Sequence, residues 1–342
     1  MRKQTDRLFG WLVAAFSLAL ALLAASCSDK PEPRQVVLYC SVDQEVAEPI
    51  VAYFEKQTGI KVLARYDTEA SKTVGLVQRI RSEAVAPAAD VLWSNEVFHT
   101  IRLAREGLLA AYHGSASDNW PAGFSDPNAL WHGFALRARV IAYNTRRVPA
   151  EEASKSLEDV LDAKWKGRLV MASPAFGTTG GDVDSWFAHY GPDRARQILQ
   201  GLKANDIRVV NGNSTAVRMV ATGQADVCFT DTDDVYAAQR NGWPVARNFL
   251  DQGGDGVLTI PNTAALIKGG PHPGTAGELM AFLLSETLER MLVASDSHNS
   301  PIHPSVAAEH AQYAIAHPLP VDYARVAAHL PMAIETAREM LR

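Results

Sequence analysis

Residues 229–242 read FTDTDDVYAAQRNG, and three carboxylates, Asp231, Asp233 and Asp234, fall within four consecutive positions after the apolar run ADVCF. Grouped carboxylates are hard oxygen donors that suit a metal cation or an ammonium group. A helix pattern follows, so part of the group has a simpler use. Thr232 is expected to cap that helix, with Asp233 and Asp234 complementing its dipole in the first turn and Gly242 closing it. Capping does not account for Asp231, which stands one step after the strand and is expected to face a cleft.

A second group has the opposite preference. In SPAFGTTGGDVDSW, Gly177, Gly180 and Gly181 let backbone N–H groups approach a ligand, and Thr178 and Thr179 add hydroxyls. A helix follows, and its N-terminus favours an anion. The competing reading is a flexible turn with a Thr cap. No Gly-Lys-Ser/Thr follows, so this is not a P-loop. Ser41 or Asp43 is expected to cap another helix, with Glu45 adding a favourable charge in its first turn, and either is a candidate for ligand contact; in Asn213-Ser214-Thr215 one residue caps a third, and a side-chain amide is a candidate for the ligand. Arg137 and Arg139 share one face of an extended run at period two, which suits a surface salt bridge. Carboxylates beside an anion-accepting loop suggest a ligand of both signs: a metal ion with an accompanying anion, or a small zwitterion. Trp93, Trp186 and Trp243 are expected in the core, and His298 and His303 in a Pro-rich surface loop.

Strands alternating with helices must position these groups. VVLYCSV, IKVLARYD and ADVLWSN read as strands, separated by amphipathic helices, the first closed by Gly59. GRLVMAS, IRVVNG and ADVCFTD begin a second series, with helices over GGDVDSWFAHYG, PDRARQILQGLKAN and STAVRMVATG. WHGFALRARVIAYNT and GVLTIPNTAALIKG are long extended segments that suit strands crossing between the two series. Such alternation predicts parallel sheets, with ligands at the carboxyl ends of the strands.

The start reads as a targeting segment. MRKQTDR is a basic n-region, LFGWLVAAFSLALALLAA an apolar core, and LAASC ends at Cys27. Small residues before a cysteine resemble a bacterial lipobox, which implies cleavage after residue 26, lipidation of Cys27 and a linker over 27–35. An uncleaved anchor helix is the alternative, and either places the globular part outside the cytoplasmic membrane.

The 342 residues are 47% hydrophobic and 21% charged, ordinary globular composition with room for about two domains. The leader carries +2, from Arg2, Lys3 and Arg7 against Asp6, so the remainder carries −7 of the overall −5. No basic block marks a nucleic-acid surface, and no partner of that kind is expected. Cys40 and Cys228 sit inside apolar strand patterns without metal-ligand spacing and are expected as buried free thiols. HExxH, GxSxG and CxxC are absent, so no activated nucleophile is in view and the chain is expected not to be an enzyme.

YCSVDQEVAEPIVAYFEKQTGIKV, ADVLWSNE, RARVIAYNT, GNSTAVRMVATGQADV and IPNTAALIKGGPHP, in this order, resemble the extracellular solute-binding proteins of bacterial ABC transporters, more narrowly the ferric-iron-type branch. The resemblance runs from about residue 36 to about 305. It implies an α/β fold of periplasmic-binding-protein type II, with two lobes, crossing hinge strands and a ligand cleft. The lobes are expected over 36–135 plus 256–305 and over 136–255 plus 306–342. It implies a monomer that serves a membrane permease and has no resident cofactor; the cargo would be ferric iron with a synergistic anion. Ferric receptors carry a Tyr-Tyr pair after the strand matching ADVCF, where this chain has Thr232-Asp233. Asp43 stands near their His after the first strand, and Asn95-Glu96 near their Glu after the third. The ligand-binding set implied is therefore Ser41, Asp43, Asn95, Glu96, Arg137, Gly177, Thr178, Thr179, Asn213, Ser214, Asp231, Thr232 and Asp233. For a metal cargo the ligands would be Asp43, Glu96, Asp231 and Asp233. Other relatives take phosphonates or phosphate esters, which keeps a phosphorus-containing cargo open, and an enzyme on a similar frame is the remaining alternative.

Overall fold

The structure, a computed structural model, describes residues 34–67, 73–118 and 120–342. The leader and Cys27 lie outside the described residues. No helix among the described residues is long and apolar enough to cross a membrane. Residues Gln35–Arg342 form one compact unit.

The strands are β1 (Gln35–Cys40), β2 (Lys61–Tyr66), β3 (Val91–Ser94), β4 (Leu109–Ala110), β5 (His132–Asn144), β6 (Leu169–Ala172), β7 (Arg208–Val210), β8 (Val227–Asp231), β9 (Val245–Asn248) and β10 (Thr259–Ile267). They hydrogen-bond in the order β2-β1-β3-β10-β5-β8-β6-β7, with β4 beside β10 and β9 beside β5. β1 runs parallel to β2 and β3, and β6 parallel to β7 and β8, as expected where helices connect successive strands.

β5 joins the two lobes. Its first half, to Ala138, pairs antiparallel with β10; from Arg139 on, it pairs with β8. Arg137 and Arg139 therefore sit where the chain crosses from one lobe to the other.

Period-two alternation fills both faces of each half-sheet. In the first lobe Leu38, Cys40 and Trp93 pack with Phe54 on one face, while Tyr39 and Leu92 pack with Phe98 on the other. In the second, Ile141, Met171 and Phe229 meet Trp165 and Trp186, and Val140, Val170 and Cys228 meet Val217 and Val235. Cys40 and Cys228 are buried and free, in separate clusters.

Local signals fix several helix ends. Gly59, at φ 69°, takes the left-handed conformation that ends the helix Gln44–Thr58, and its N–H reaches Glu55 O at 2.9 Å. The helix Gly177–Tyr190 starts three residues before the expected Gly180, so the Gly-Thr stretch is its first turn and not a preceding loop. Close packing accounts for Gly180 and Gly181. A Cβ on Gly181 would lie 2.0 Å from Phe98 Cε2, and one on Gly180 2.6 Å from Pro174 O.

Candidate functional site

The ends of β1, β3, β6, β7 and β8 and the helices after them meet at a cleft. Its inner chamber is lined by Asn95 and Arg137, by Phe176–Thr179, by Asn211–Asn213 and by Asp231, Asp233 and Asp234. Three helices start on it, Gly177–Tyr190, Asn213–Ala221 and Thr232–Arg240, none with a side-chain cap bond. Helix first turns favour negative charge.

Asp231 is the centre of the arrangement, at 1% exposure. It is the N-cap residue of the helix Thr232–Arg240, yet its side chain makes no cap bond to that helix. Its Oδ1 accepts from Arg139 Nη1 at 2.8 Å. Its Oδ2 accepts from Thr178 Oγ1 at 2.5 Å, from Asn213 Nδ2 at 3.1 Å and from Arg137 Nη1 at 3.4 Å. Burial alone would raise this carboxyl, but Arg139, then Arg137 and the Thr178 hydroxyl hold it below the usual carboxylate range. The cap is thus Asp231 and not Thr232, whose Oγ1 accepts from Ala138 N at 3.3 Å. The helix starts one residue earlier than the spacing suggested because the Asp231 backbone is still extended, at φ −105° and ψ 160°.

The two arginines are buried, at 5% and 4% exposure, so neither forms a surface pair. Arg137 spans the cleft: Nη2 donates to Asn95 O on one side and Nη1 to Asp233 Oδ2, at 3.1 Å, on the other. Arg139 donates from Nε to Asp182 Oδ2 at 3.0 Å and from Nη1 to Asp231. Burial pulls both guanidinium groups down, and the carboxylates more than reverse it: Asp233 and Asp231 for Arg137, Asp231 and Asp182 for Arg139. Both stay charged.

Asn95 is held rigidly. Its Oδ1 accepts from Ser41 Oγ at 3.1 Å and Thr73 Oγ1 at 2.9 Å, and its N–H donates to Ser41 Oγ at 2.9 Å. Ser41 therefore acts here as a support for Asn95. Glu96 accepts from Phe98 N at 2.6 Å and His99 N at 3.2 Å, at the start of the helix Phe98–Arg105. Burial pushes its carboxyl up to about 7 against those bonds, and it does not line either chamber.

An outer chamber with about 730 Å³ of empty space opens beside the first and shares Asp233 and Asp234 with it. Asp43, Ser214, Arg218, Trp243 and Asp296 also line it. Asp43 is the N-cap residue of the helix Gln44–Thr58 without a side-chain cap bond. Asp231, Asp233 and Asp234 each offer an oxygen within 4.8 Å of the others, the spacing of a metal-ligating group.

The cleft thus brings together Asn95, Arg137, Gly177, Thr178, Thr179, Asn213, Asp231 and Asp233, with Asp43 and Ser214 in the adjoining chamber. Thr232, Ser41 and Glu96 stand behind the walls. Trp93 and Trp186 are core, whereas Trp243, at 36% exposure, borders the outer chamber. His298 stacks on Tyr313 at 4.8 Å, and His303 packs edge-on against Trp120. Arg139 and Asp182 gained importance only in the structure. Asp182 carried one signal: it follows Thr178 by four residues, on the same helix face.

A model of the bacterial extracellular solute-binding proteins matches residues 36–295. The chain belongs to that family. Among curated relatives, Iron uptake protein A1 of Synechocystis sp. is 28% identical over 322 residues, covering 88% of each chain. A putative 2-aminoethylphosphonate-binding periplasmic protein of Salmonella paratyphi A is 27% identical over 268 residues, covering 76% of this chain and 75% of that one. Among solved structures, iron-bound HitA from Pseudomonas aeruginosa superposes with a TM-score of 0.82 at 27% identity, over 90% of this chain and 99% of that one. This solute-binding protein accordingly has the two-lobed architecture of its relatives, and its chambers lie where the lobes meet.

Proposed function

We propose that this solute-binding protein is the receptor of an ABC importer and captures ferric iron, or a related small cargo of positive charge, in the interlobe cleft. The carboxylates Asp233 and Asp234, grouped with Asp231 at the end of β8, carry the reading, because hard trivalent cations take oxygen ligands. Asp233 and Asp234 face both chambers, and Asp43 lines the outer one with them. The likeness to an iron uptake protein along most of the chain supports the same cargo. Its role is binding without catalysis, and its partner is a permease in the cytoplasmic membrane.

A second reading is a phosphorus-containing zwitterion such as an aminophosphonate. Three helix starts on the inner chamber and the Arg137 guanidinium favour an anionic head there, with an ammonium group on the carboxylates. Calorimetry with ferric citrate, ferric pyrophosphate, aminoethylphosphonate and hexose phosphates separates the two. Saturable binding of a ferric salt, and metal retained on native mass spectra, support the first. Binding of aminoethylphosphonate alone supports the second and sinks the first.

The mature protein is placed on the outer face of a membrane through a lipid on Cys27, as a monomer with lobes over 36–135 plus 256–305 and 136–255 plus 306–342. Cys27→Ala should lose the lipid and leave the membrane fraction. An unmodified wild-type cysteine on intact-mass analysis of that fraction rejects the anchor. Cargo that touches both lobes stabilises their closed arrangement by its differential affinity, so small-angle scattering should show a smaller radius of gyration when cargo is bound.

A further inference from the structure

We propose that Asp231 is a built-in anion: it fills, from within the chain, an oxyanion nest that would otherwise recruit an anion from solution. The inference rests on the cleft geometry and, for its consequence on cargo, on the reading of a cation-bearing ligand.

The nest is defined by its donors. Two guanidinium groups, one hydroxyl and one amide converge on the Asp231 carboxylate, from Arg137, Arg139, Thr178 and Asn213. Thr178 and Asn213 sit in the first turns of two helices whose starts carry no side-chain cap. Charge-assisted donors at helix N-termini are the chemistry of a site for a free oxyanion. The occupant here is a side chain that turns away from the helix it begins.

Its accepting capacity is used up. A carboxylate offers about four acceptor positions. The donors named already engage one oxygen once and the other three times. Asp231 therefore has little left to give a cargo cation, and cation contact falls to Asp233 and Asp234. The charge agrees. The two arginines are matched by Asp231, Asp182 and Asp233, a local net charge of −1. An anion entering from solution meets an occupied and slightly negative nest. The protein should therefore hold its cation without a recruited co-anion. That favours the cation-bearing cargo over an anionic head seated in the inner chamber.

The test removes the internal anion and supplies an external one. Cargo-free wild type is titrated calorimetrically with sodium formate and with inorganic phosphate, beside Asp231→Ala. Wild type should show no saturable binding, whereas Asp231→Ala should bind formate or phosphate at least tenfold more tightly, and either anion should raise its Tm. Arg139→Met in the Asp231→Ala background should abolish the gain. Saturable phosphate binding by wild type, or no gain in Asp231→Ala, overturns the proposal. Should Asp231→Ala not fold, Asp231→Asn, which keeps the side-chain shape, takes its place: formate should raise its Tm where wild type is unmoved, and an equal response from both overturns the proposal. The formate and phosphate titrations of cargo-free protein do not use the importer's cargo, so failure to bind iron leaves their result standing. For iron, wild-type affinity for ferric citrate should change less than twofold on adding phosphate; a tenfold dependence on phosphate also overturns the proposal.

Discussion

Arg139 and Asp231 form a buried ion pair, Nη1 to Oδ1 at 2.8 Å, with their side chains only 4% and 1% exposed. Removing one partner of such a pair leaves a charge without its counterpart in a poorly solvated place. Asp231→Asn should lower stability on the order of 3 kcal/mol, the low end for a broken buried pair because Asp182 still faces Arg139. Urea unfolding checks this through the midpoint, with an unchanged denaturant slope. An unchanged midpoint would mean that the pair is not formed in solution.

Asp233 and Asp234 should govern cargo affinity more than stability. Both lie in the first turn of their helix and face the two chambers. Asp233→Asn or Asp234→Asn removes one charged contact, worth about 1.5–3 kcal/mol, or roughly tenfold or more in affinity. Calorimetry against ferric citrate reads it. Full affinity in both variants would remove this pair of carboxylates from cargo contact.

Gly181→Ala should act through Phe98. The added Cβ would sit 2.0 Å from Phe98 Cε2, and Phe98 is itself fully buried. Overpacking of this kind costs about 1–3 kcal/mol. It should also weaken cargo binding, since Gly181 lies one turn from Thr178 on the helix that carries the Asp231 contact. A double variant with Phe98→Leu should recover part of the stability. No recovery would assign the loss to another neighbour.

The Asp184 carboxyl should make stability fall with rising pH. It is fully buried with neither oxygen hydrogen-bonded, and burial pushes its carboxyl up to about 8. Its unfolded value is near 3.9, so between these two values the folded chain keeps a proton that the unfolded chain releases. Stability from this group is fully present below about pH 4 and is lost as pH rises towards about 8, at up to about 1.4 kcal/mol per pH unit. Asp184→Asn should flatten that slope in thermal unfolding between pH 5 and pH 8, and an unchanged slope would point to another group.

Local pattern was enough for the framework of this solute-binding protein. Apolar runs marked β1, β3, β6 and β8, Gly59 marked a helix end, and the two long extended runs marked β10 and β5, the latter the strand that crosses between lobes. The same order of segments carried the family, and the sign of the cleft residues was readable from their types. What Asp231 does was not readable, because its partners Arg139, Thr178 and Asn213 stand 92, 53 and 18 residues away. Sequence spacing shows which charges a strand end presents; it does not show how many donors the fold brings to the same carboxylate. Only once β5, the helix Gly177–Tyr190 and the helix Asn213–Ala221 converged on the end of β8 were its oxygens taken up, which left Asp233 and Asp234 to face the chambers. Burial then decided the charge states, since a carboxylate shielded from water keeps its proton unless paired, as Asp184 does, and loses it when two guanidinium groups surround it, as Asp231 does.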